Sequence, residues 1–556
     1  MNNLVILLVI IPFLASFLTL FEKYAFGIEK APQTAIVATS CCLVLLLFLF
    51  PPVFKGKAIE YFLGGWKEPV GITIYMDGLS WIASFIGIVI GLVSLFFSWG
   101  EKKYEHKFYF FFLILLGGME GAIMTGDIFN MFVFFEIVSI ASYILIAYSK
   151  KTKSLMASFN YLLISSLGMG FFLLGIALLY QQTGIFSLRG IAGLKNQLIP
   201  NTRILNIAII SLVVGIGVKA AFFPLHTWLP DAHAFAPHPV SSILSGVMIK
   251  ISFLAIWRII RILDTPSLQH IFIWIGAFTA LLGAIFAIAQ SDCKKILAYH
   301  SISQMGFIIA GFGVATSFSL VASLYHILNH SLFKSLLFLS VGVVIYLTGK
   351  RKIDELAGFG NKIPFVKVTF LVGALSICGV PPFNGYASKT LISTSLKDYP
   401  LAYFFIFMAS AGTFTSFIKL SRIFRGKINQ ENTFYKEQKN FKEKIPKKMI
   451  FPLFTLSALC IITGLYPETT TGLISRLILN EKIKTDLHFY SLSNFTGSLF
   501  SLIFGLSFYL LIITQKGSKV MNFLRKTRPT LNSSLLLVVA GFLLIVVFYL
   551  LTGKAT

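Results

Sequence analysis

Five ionisable side chains lie in or beside apolar stretches of the chain, and together they predict a path for ions or protons. They are Glu136 in MFVFFEIVSI, Lys219 in VVGIGVKAAFF, Lys250 in GVMIKISFLAI, Lys334 in HSLFKSLLFLS and Lys389 in NGYASKTLI. The first four stretches are about 20 residues long, which is enough to cross a bilayer. A charge at that depth costs about 2.5–3.5 kcal/mol on insertion scales, so it normally faces the interior of a helix bundle and marks such a path.

Glu136 and Lys219 are candidates for a switchable pair. Glu136 lies near the middle of its apolar segment, which Asp127 opens, and Lys219 also lies in an apolar segment without an acidic neighbour. A carboxylate nearby keeps an ammonium group charged. If the carboxylate moves away, a buried lysine can release its proton, whereas an arginine cannot. The alternative is a structural ion pair that only joins two helices.

His326, His330 and Lys334 follow one another at intervals of four residues, so they share one face of a helix. Helical histidines with this spacing can bind zinc, but the segment contains no carboxylate that would complete a site. We favour a histidine pair that titrates near neutral pH and passes protons along a hydrated face. Histidines with purely structural hydrogen bonds are the other alternative.

Further ionisable groups extend this line. Lys250 and Lys389 would complete it. The alternative for Lys389 is that it extends to the membrane interface, as lysines near helix ends do. His300, in AYHSISQMG, would connect the path to one surface. A proline-rich stretch, AFFPLHTWLPDAHAFAPHPV, carries four more groups that would cap half-helices or form an ion entrance: His226, Asp231, His233 and His238.

The composition indicates the class of protein that positions these groups. The chain has 556 residues, of which 56% are hydrophobic and 12% charged, whereas soluble domains have about 25% charged residues. We therefore predict an all-α polytopic membrane protein. Its net charge of +25 resides mostly in loops, where it orients the protein in the lipid bilayer and does not indicate nucleic acid. The five cysteines lack metal-ligand spacing, so we expect no cofactor and assign any redox centre to a partner.

Sixteen apolar segments predict sixteen membrane helices. The first lacks the basic start of a cleaved signal peptide. Fourteen segments form a closely spaced run, and two more follow a polar stretch at 467–494; the longest polar loop, 425–449, lies between the thirteenth and fourteenth. The segments span about 3–20, 33–54, 79–99, 108–125, 127–148, 158–180, 204–223, 240–263, 269–290, 299–317, 319–347, 365–395, 402–424, 449–467, 495–514 and 533–552.

The seventh and twelfth segments are expected to be broken. The seventh runs into the proline-rich stretch, and the twelfth contains CGVPPFNGYASK, where prolines remove hydrogen-bond donors and prevent a regular helix. Paired interruptions about half a fold apart are typical of transporters built from repeated units. Interruptions leave backbone groups unpaired, so we expect them to line a protein-enclosed or watery cavity.

Basic residues concentrate in alternate loops, as in EKKYEHK, SKKTK, DCKK and GKRKIDE. The positive-inside rule places these loops in the cytoplasm and both termini outside it. That arrangement requires an even number of membrane helices, and the predicted number of sixteen is even. We expect the plasma membrane to be the location.

Several motifs in order resemble those of antiporter-like membrane subunits. KAAFFPLHTWLPDAH followed by APHPVSSILSG is similar to the signature of subunits shared by respiratory complex I, Mrp-type cation/proton antiporters and membrane-bound [NiFe] hydrogenases. DIFNMFVFFE precedes it, and KKILAYHSISQMGF, LYHILNHSLFKSLLFLSVG and GVPPFNGYASK follow. The resemblance covers roughly residues 70–425.

The resemblance implies fourteen core helices with helices 4–8 and 9–13 as inverted five-helix repeats. The two added C-terminal helices depart from the usual end of a D-type subunit. The divisions would be 1–107, 108–263 for the first repeat, 264–425 for the second, and 426–556 for a cytoplasmic loop and the last helices. It also implies that Glu136 and Lys219 form the switchable pair, Lys250 the central relay, His326 and His330 the next link, and Lys389 the terminal lysine.

Lysines in helix 8 and at the terminal position look similar to those of the Mrp D-type subunit. We therefore expect a proton-translocating subunit, not catalytic by itself, that assembles with other hydrophobic membrane subunits. Complex I or a membrane-bound hydrogenase is the alternative parent, and H⁺ and Na⁺ both remain possible as the moved ion. An intramembrane metal-dependent enzyme using the two histidines and Asp231 is the alternative of a different class.

Overall fold

The protein is almost entirely helical. The computed structural model describes residues 2–194, 203–263, 266–425, 445–481, 489–527 and 529–552, so the predicted loop at 425–449 lies largely outside the described residues. The strands in this part of the chain are β1 (Ile59–Phe62) and β2 (Thr73–Met76), which pair antiparallel with Ile59 opposite Met76.

The first half of the chain contains α1 (Asn2–Val5), α2 (Leu7–Phe26), α3 (Ala31–Phe54), α4 (Gly78–Glu101), α5 (His106–Met124), α6 (Ile128–Ala147), α7 (Thr152–Thr183), α8 (Leu188–Gly193), α9 (Arg203–Ala220), α10 (Leu229–Phe235), α11 (His238–Ile243) and α12 (Ile249–Leu263). The second half contains α13 (Pro266–Ala289), α14 (Cys293–Gly313), α15 (Ser317–Thr348), α16 (Ile353–Leu356), α17 (Pro364–Cys378), α18 (Asn384–Ser395), α19 (Pro400–Leu420), α20 (Lys447–Leu465), α21 (Pro467–Leu479), α22 (Leu492–Ile513), α23 (Gln515–Lys526) and α24 (Leu531–Thr552). Short 3₁₀ turns lie at Leu63–Gly65, Phe359–Lys362 and Ser421–Phe424.

The prediction of an all-α polytopic membrane protein is confirmed. Within the described residues, 14 helices are long and apolar enough to cross a membrane, and the number reaches 16 if two bent helix pairs each count as one span. Each predicted apolar segment coincides with helical structure, which is divided between α11 and α12 for 240–263 and between α17 and α18 for 365–395. The span formed by α11 and α12 is the most enclosed, together with α9, α14 and α15, whereas α22 is largely exposed. The ionisable groups of interest lie mainly on the enclosed helices.

The predicted interruptions are present at both places. After α9 the chain forms irregular turns at 221–228 before α10 begins, and a π-helical turn at Leu244–Met248 joins α11 to α12. Between α17 and α18, Gly379 adopts a φ of +79°, which favours glycine. A Cβ on Gly385 would lie 1.8 Å from the carbonyl oxygen of Ser376, so only glycine allows the two half-helices to approach this closely.

Two segments without predicted structure are helical. The polar stretch after α20 forms α21, whose Ile474 and Leu477 are buried because they share one face. The basic linker before the last membrane helix forms α23, which carries apolar Val520 and Phe523 among its lysines and arginine. Each segment is polar in composition but has apolar residues at helical spacing, and composition alone does not register that spacing.

Asp77 is expected to contribute more to stability than Asp127, although both carboxylates cap a membrane helix. Asp77 Oδ1 accepts a hydrogen bond from Ser80 N at 2.8 Å and pairs with the buried guanidinium of Arg258 at 2.9 Å. Asp127 Oδ1 accepts from Asn130 N at 2.7 Å. A lost cap costs about 1 kcal/mol. Because Asp77 is partly exposed, we expect an additional loss of about 2–3 kcal/mol from the stranded arginine, less than for a fully buried pair.

This difference can be measured by replacing each aspartate with alanine and comparing thermal unfolding of the two variants in detergent. Asp77→Ala should unfold at a clearly lower temperature than Asp127→Ala. Equal unfolding temperatures would show that the pair with Arg258 contributes nothing beyond the cap.

Candidate ion pathway

Lys219 is held by hydroxyl groups and not by a carboxylate. It lies near the end of α9 and is fully buried. Its Nζ donates to Ser139 Oγ on α6 and to Ser165 Oγ on α7, the latter at 2.8 Å. Glu136 lies one turn before Ser139, is half-buried, and forms no ion pair with Lys219 among the described residues. The structure therefore brings the two groups to neighbouring positions without a direct ion pair between them.

Gly168 and Trp228 fix the position of Lys219. A Cβ on Gly168 of α7 would lie 2.8 Å from Val218 Cγ2, so the glycine lets α9 pack closely on α7. Trp228 Nε1 donates to the Val218 carbonyl at 2.7 Å, which gives this carbonyl near the end of α9 a closer partner than Ala221 N at 3.3 Å. The Trp228 ring also stacks on Tyr161 of α7 with 3.8 Å between ring centroids. The break thus anchors the helix end that carries Lys219.

Lys250 follows the π-helical turn directly. It is buried, and its Nζ donates to the carbonyl oxygen of Ser245 within that turn. Ser245 Oγ in turn lies 2.6 Å from Ser301 Oγ on α14. Single π-helical turns recur at functional sites, and here the turn supplies the oxygen that the ammonium group contacts. No carboxylate pairs with Lys250 among the described residues.

His326 connects three helices of the second half. Its Nδ1 lies 2.9 Å from Ser388 Oγ on α18, and its Nε2 lies 3.1 Å from Gln304 Oε1 on α14. The ring of His330, one turn later on α15, stacks nearly parallel to it at 6.1 Å between centroids. Both nitrogens of His330 are without a hydrogen-bond partner among the described residues. The two histidines therefore form a stacked pair with one bonded and one unbonded member.

Lys389 lies beside this pair. It is buried and not exposed at the interface, and its Nζ lies 4.9 Å from the centroid of Phe307, a ring that also contacts His326 at 5.9 Å. Lys334 is buried on α15 with its Nζ 5.8 Å from the Phe338 centroid. Neither Nζ has a hydrogen-bond partner among the described residues. Buried polar groups of this kind are normally satisfied by ordered water.

The proline-rich stretch leads from the enclosed bundle to a large cavity. His233 is fully buried between the rings of Trp228 and Phe338, each 6.1 Å away. Asp231 forms an ion pair with Lys295 at the start of α14. His238 lines a cavity of about 1280 Å³. Asp231 and eight basic residues line it too: Lys103, Lys151, Lys153, Lys294, Lys295, Lys350, Arg351 and Lys352.

The remaining candidates are less central. His226 is half-buried beside Phe223, at 5.5 Å between ring centroids. His300 is buried against Phe417 at 5.2 Å, with neither nitrogen bonded among the described residues. Asp127 caps α6, as its position at the start of the segment indicates.

The described residues do not form a metal site at His326, His330 or Asp231, the residues for which the sequence left a metal as an alternative. Within the described ranges, no three side chains of His, Cys, Asp or Glu are grouped so that they could hold a metal ion. The rings of His326 and His330 stack instead of converging, and Asp231 is paired with Lys295.

Several buried charges were missed from the sequence. Glu120 lies in GGMEGAIM, inside the predicted segment 108–125, and is fully enclosed in α5. The rule that singled out Glu136 applies equally to it. Glu101, Lys294 and Arg258 are also buried, but each lies near a helix end, where a charge normally reaches the surface.

A family model described as NADH:quinone oxidoreductase/Mrp antiporter, TM, matches residues 125–418. The chain is 32% identical over 480 residues to the D-type subunit of the Na⁺/H⁺ antiporter of Alkalihalophilus pseudofirmus, covering 84% of this chain and 95% of that relative. It is 30% identical over 491 residues to the N-type subunit of the NADH-quinone oxidoreductase of Desulforudis audaxviator, covering 84% and 96%.

A chain in the structure of the membrane-bound sulfane sulfur reductase, an archaeal respiratory membrane complex, superimposes with a TM-score of 0.78 at 26% identity, covering 92% of this chain and 100% of that one. The sequence motifs, the two broken segments and these similarities agree. The chain belongs to the NADH:quinone oxidoreductase/Mrp antiporter transmembrane family.

Proposed function

We propose that the protein is a proton-translocating, antiporter-like subunit of a multisubunit membrane complex, similar to the D-type subunit of Na⁺/H⁺ antiporters. The observation that carries this proposal is that the four buried lysines along the predicted path form no ion pair with a carboxylate among the described residues: Lys219, Lys250, Lys334 and Lys389. An ammonium group that has no carboxylate partner can gain or lose a proton without breaking an ion pair. A purely structural lysine would be expected to pair with an acid.

Each residue has a proposed role in this pathway. Glu136 and Lys219 form the switch: the carboxylate approaches when Lys219 is charged and withdraws when the proton leaves. Lys250 is the central relay because it lies on α12, between the two halves of the chain. The following links are His326, His330, Lys334 and Lys389.

The cavity at the proline-rich stretch is the proposed entrance. Asp231 and His238 line it, and His233 leads inward toward Phe338, whose ring also contacts Lys334. His226 and His300 support this route as secondary groups, and Asp127 holds the helix of Glu136 in place. Water molecules would connect groups that do not contact each other directly.

We also propose a division of the chain, a membrane location and a surface for partner subunits. Residues 1–107, 108–263, 264–425 and 426–556 are taken as the N-terminal helices, two inverted repeats and the C-terminal part, since α9 and the α17–α18 pair break at comparable places in the two central parts. Basic loops support a plasma-membrane location with both termini outside the cytoplasm. The exposed apolar surface of α22 supports contact with hydrophobic partner subunits or lipid.

A redox-driven complex is the second candidate for the parent assembly. It is favoured by the similarity to a quinone oxidoreductase subunit and to a chain of the sulfane sulfur reductase complex. Both candidates assign the same pathway to this chain and differ in the driving reaction. The moved cation is H⁺ in both, with Na⁺ as the exchanged ion in the antiporter.

The test is to purify the chain with its native partners, reconstitute the complex into liposomes and follow internal pH with a trapped dye. An imposed Na⁺ gradient should drive H⁺ in the opposite direction if the complex is an antiporter. Proton movement that requires a reductant would indicate the redox-driven assembly. The isolated chain should show no electron transfer, and a complex that moves no protons under either condition would contradict the proposed function.

A further inference from the structure

One face of α4 carries small and polar residues along its whole length. They recur at intervals of three and four, which places them on a single helix face. Asp77 and Glu101 lie at the two ends, so the face extends across the membrane. The face consists of six buried residues: Ser80, Ser84, Gly87, Gly91, Ser94 and Ser98.

Helix α5 packs antiparallel along this face. Tyr109 Oη lies 3.4 Å from Ser98 Oγ near one end, and Ser80 Oγ donates to the Ile123 carbonyl at 3.3 Å near the other. Between these contacts, Leu116 packs on Gly91, where a Cβ would approach its Cδ2 at 2.7 Å. We call the contact between these two helices the α4–α5 seam.

Glu120 projects into the seam one turn beyond Leu116. A Cβ on Gly87 would lie 3.1 Å from Glu120 Oε1, so the glycine makes room for the carboxyl group. The side chain is 1% exposed, and neither oxygen has a hydrogen-bond partner or a cationic neighbour among the described residues. Ser84 faces the same carboxyl group, and its Oγ is likewise unpartnered. Two buried oxygen-bearing groups therefore face each other without other partners.

The seam has polar groups on one side of Glu120 and an apolar layer on the other. Toward the Asp77 end, Arg258 Nη2 donates to Ser80 Oγ at 3.1 Å and to Asp77, and both charged residues line a cavity of about 500 Å³. Toward the Glu101 end, Leu116 fills the seam at Gly91 and forms an apolar layer. Beyond this layer, Ser94 Oγ donates to Ser242 Oγ at 3.2 Å.

We propose that Glu120 is a second intramembrane cation-binding carboxyl group, which holds a translocated proton in the α4–α5 seam with Ser84 and exchanges it toward the Asp77 end. This inference rests on the proposed function and extends it, since Glu120 lies off the line of lysines. An unpaired carboxylate in this enclosed position would be costly, and binding a proton removes the charge. A protonated carboxyl group can also donate a hydrogen bond, which Ser84 Oγ can accept.

The site suits a proton better than a metal ion. Hard metal cations such as Ca²⁺ and Mg²⁺ take six or more oxygen ligands, whereas this spot offers the Glu120 carboxyl and the Ser84 hydroxyl, with the buried thiol of Cys42 on α3 nearby. Val247 of the π-helical turn also packs at Gly87, where a Cβ would lie 3.6 Å from its Cγ1. The turn that carries the Lys250 contact therefore borders the site, so a rearrangement there would change the space around Glu120. Arg258 lies between the site and the cavity. Proton exchange with the cavity therefore requires Arg258 to break its hydrogen bond to Asp77 or to Ser80.

The test compares Glu120→Gln and Glu120→Asp in the reconstituted complex. Glutamine keeps the shape and a hydrogen-bonding amide, so a purely structural role predicts normal transport. Loss of the proton-carrying group predicts a fall in proton flux of about a hundredfold, the lower end of what a positioned proton-transfer group contributes. Aspartate should retain flux well above that of glutamine.

Two serines on the same face provide a matched control. Ser84→Ala should reduce flux, whereas Ser94→Ala, on the far side of the Leu116 layer, should leave it unchanged. Infrared spectroscopy supplies a readout independent of transport: the wild-type complex should show a protonated-carboxyl band that Glu120→Gln removes and Glu120→Asp shifts.

The outcomes separate this inference from the proposed function. A wild-type complex without proton flux would contradict the proposed function, and the infrared band would still report on Glu120. Normal flux in Glu120→Gln would overturn the inference. If that variant fails to assemble, an infrared band that is absent from the wild type, or unchanged in Glu120→Asp, would overturn it equally.

Discussion

Replacing Lys219 by alanine is expected to abolish proton movement while the complex still assembles. The ammonium group is the part of the switch that gains and loses the proton, so flux should fall by about a hundredfold or more. Assembly should survive because a buried charge is removed, and Ser139 keeps its hydrogen bond to the Phe135 carbonyl. Flux into liposomes, normalised to the amount of purified complex, measures the effect.

Lys23 is the control for this experiment. It lies near the end of α2, is partly exposed and pairs with Glu29, so Lys23→Ala should transport normally. Substantial flux in Lys219→Ala would contradict the assigned role. Loss of the complex from membranes would instead indicate that Lys219 is structural.

Replacing Lys250 by methionine is expected to suppress transport and to stabilise the protein. Methionine fills a similar volume, but it cannot carry a proton across the middle of the path. Exchanging a buried charged group for an apolar side chain of similar size is often stabilising, by about 1–4 kcal/mol, and among the described residues Lys250 Nζ donates a hydrogen bond to one carbonyl oxygen. Thermal unfolding in detergent and flux in liposomes should therefore change in opposite directions.

Opposite changes of this kind identify a residue retained for function and not for stability. Leu254→Met, one turn later on the same helix, controls for the introduced methionine and should change neither quantity much. A Lys250→Met variant with normal flux would remove Lys250 from the path. Lower stability together with low flux would indicate a structural role.

The membrane helices could be predicted closely because their signal is local. Long apolar runs determine the helices, and prolines and glycines mark the breaks near Pro224 and Gly385. The relative placement of side chains could not be predicted to the same degree. Ser139 and Ser165, which contact Lys219, are ordinary helix residues whose role depends on how α6 and α7 pack on α9.

Long-range partners account for most of what the sequence did not reveal. Arg258 pairs with Asp77, a residue 181 positions away, and neither carries a local signal for the other. Glu120 is a different case, because the rule for intramembrane charges applies to it directly. The cavity at the proline-rich stretch follows from the prediction that interrupted helices line open space, but its basic lining comes from separate parts of the chain that are distant in sequence.

Replacing Lys219 by arginine tests the central claim most directly. Lys219→Arg keeps a positive charge and donors for Ser139 and Ser165, but arginine does not release its proton at accessible pH. In liposomes containing the native complex, proton flux driven by an imposed Na⁺ gradient or by a reductant should be lost in this variant, with co-purifying subunits unchanged. Wild-type flux in Lys219→Arg would contradict the claim that Lys219 works by gaining and losing a proton.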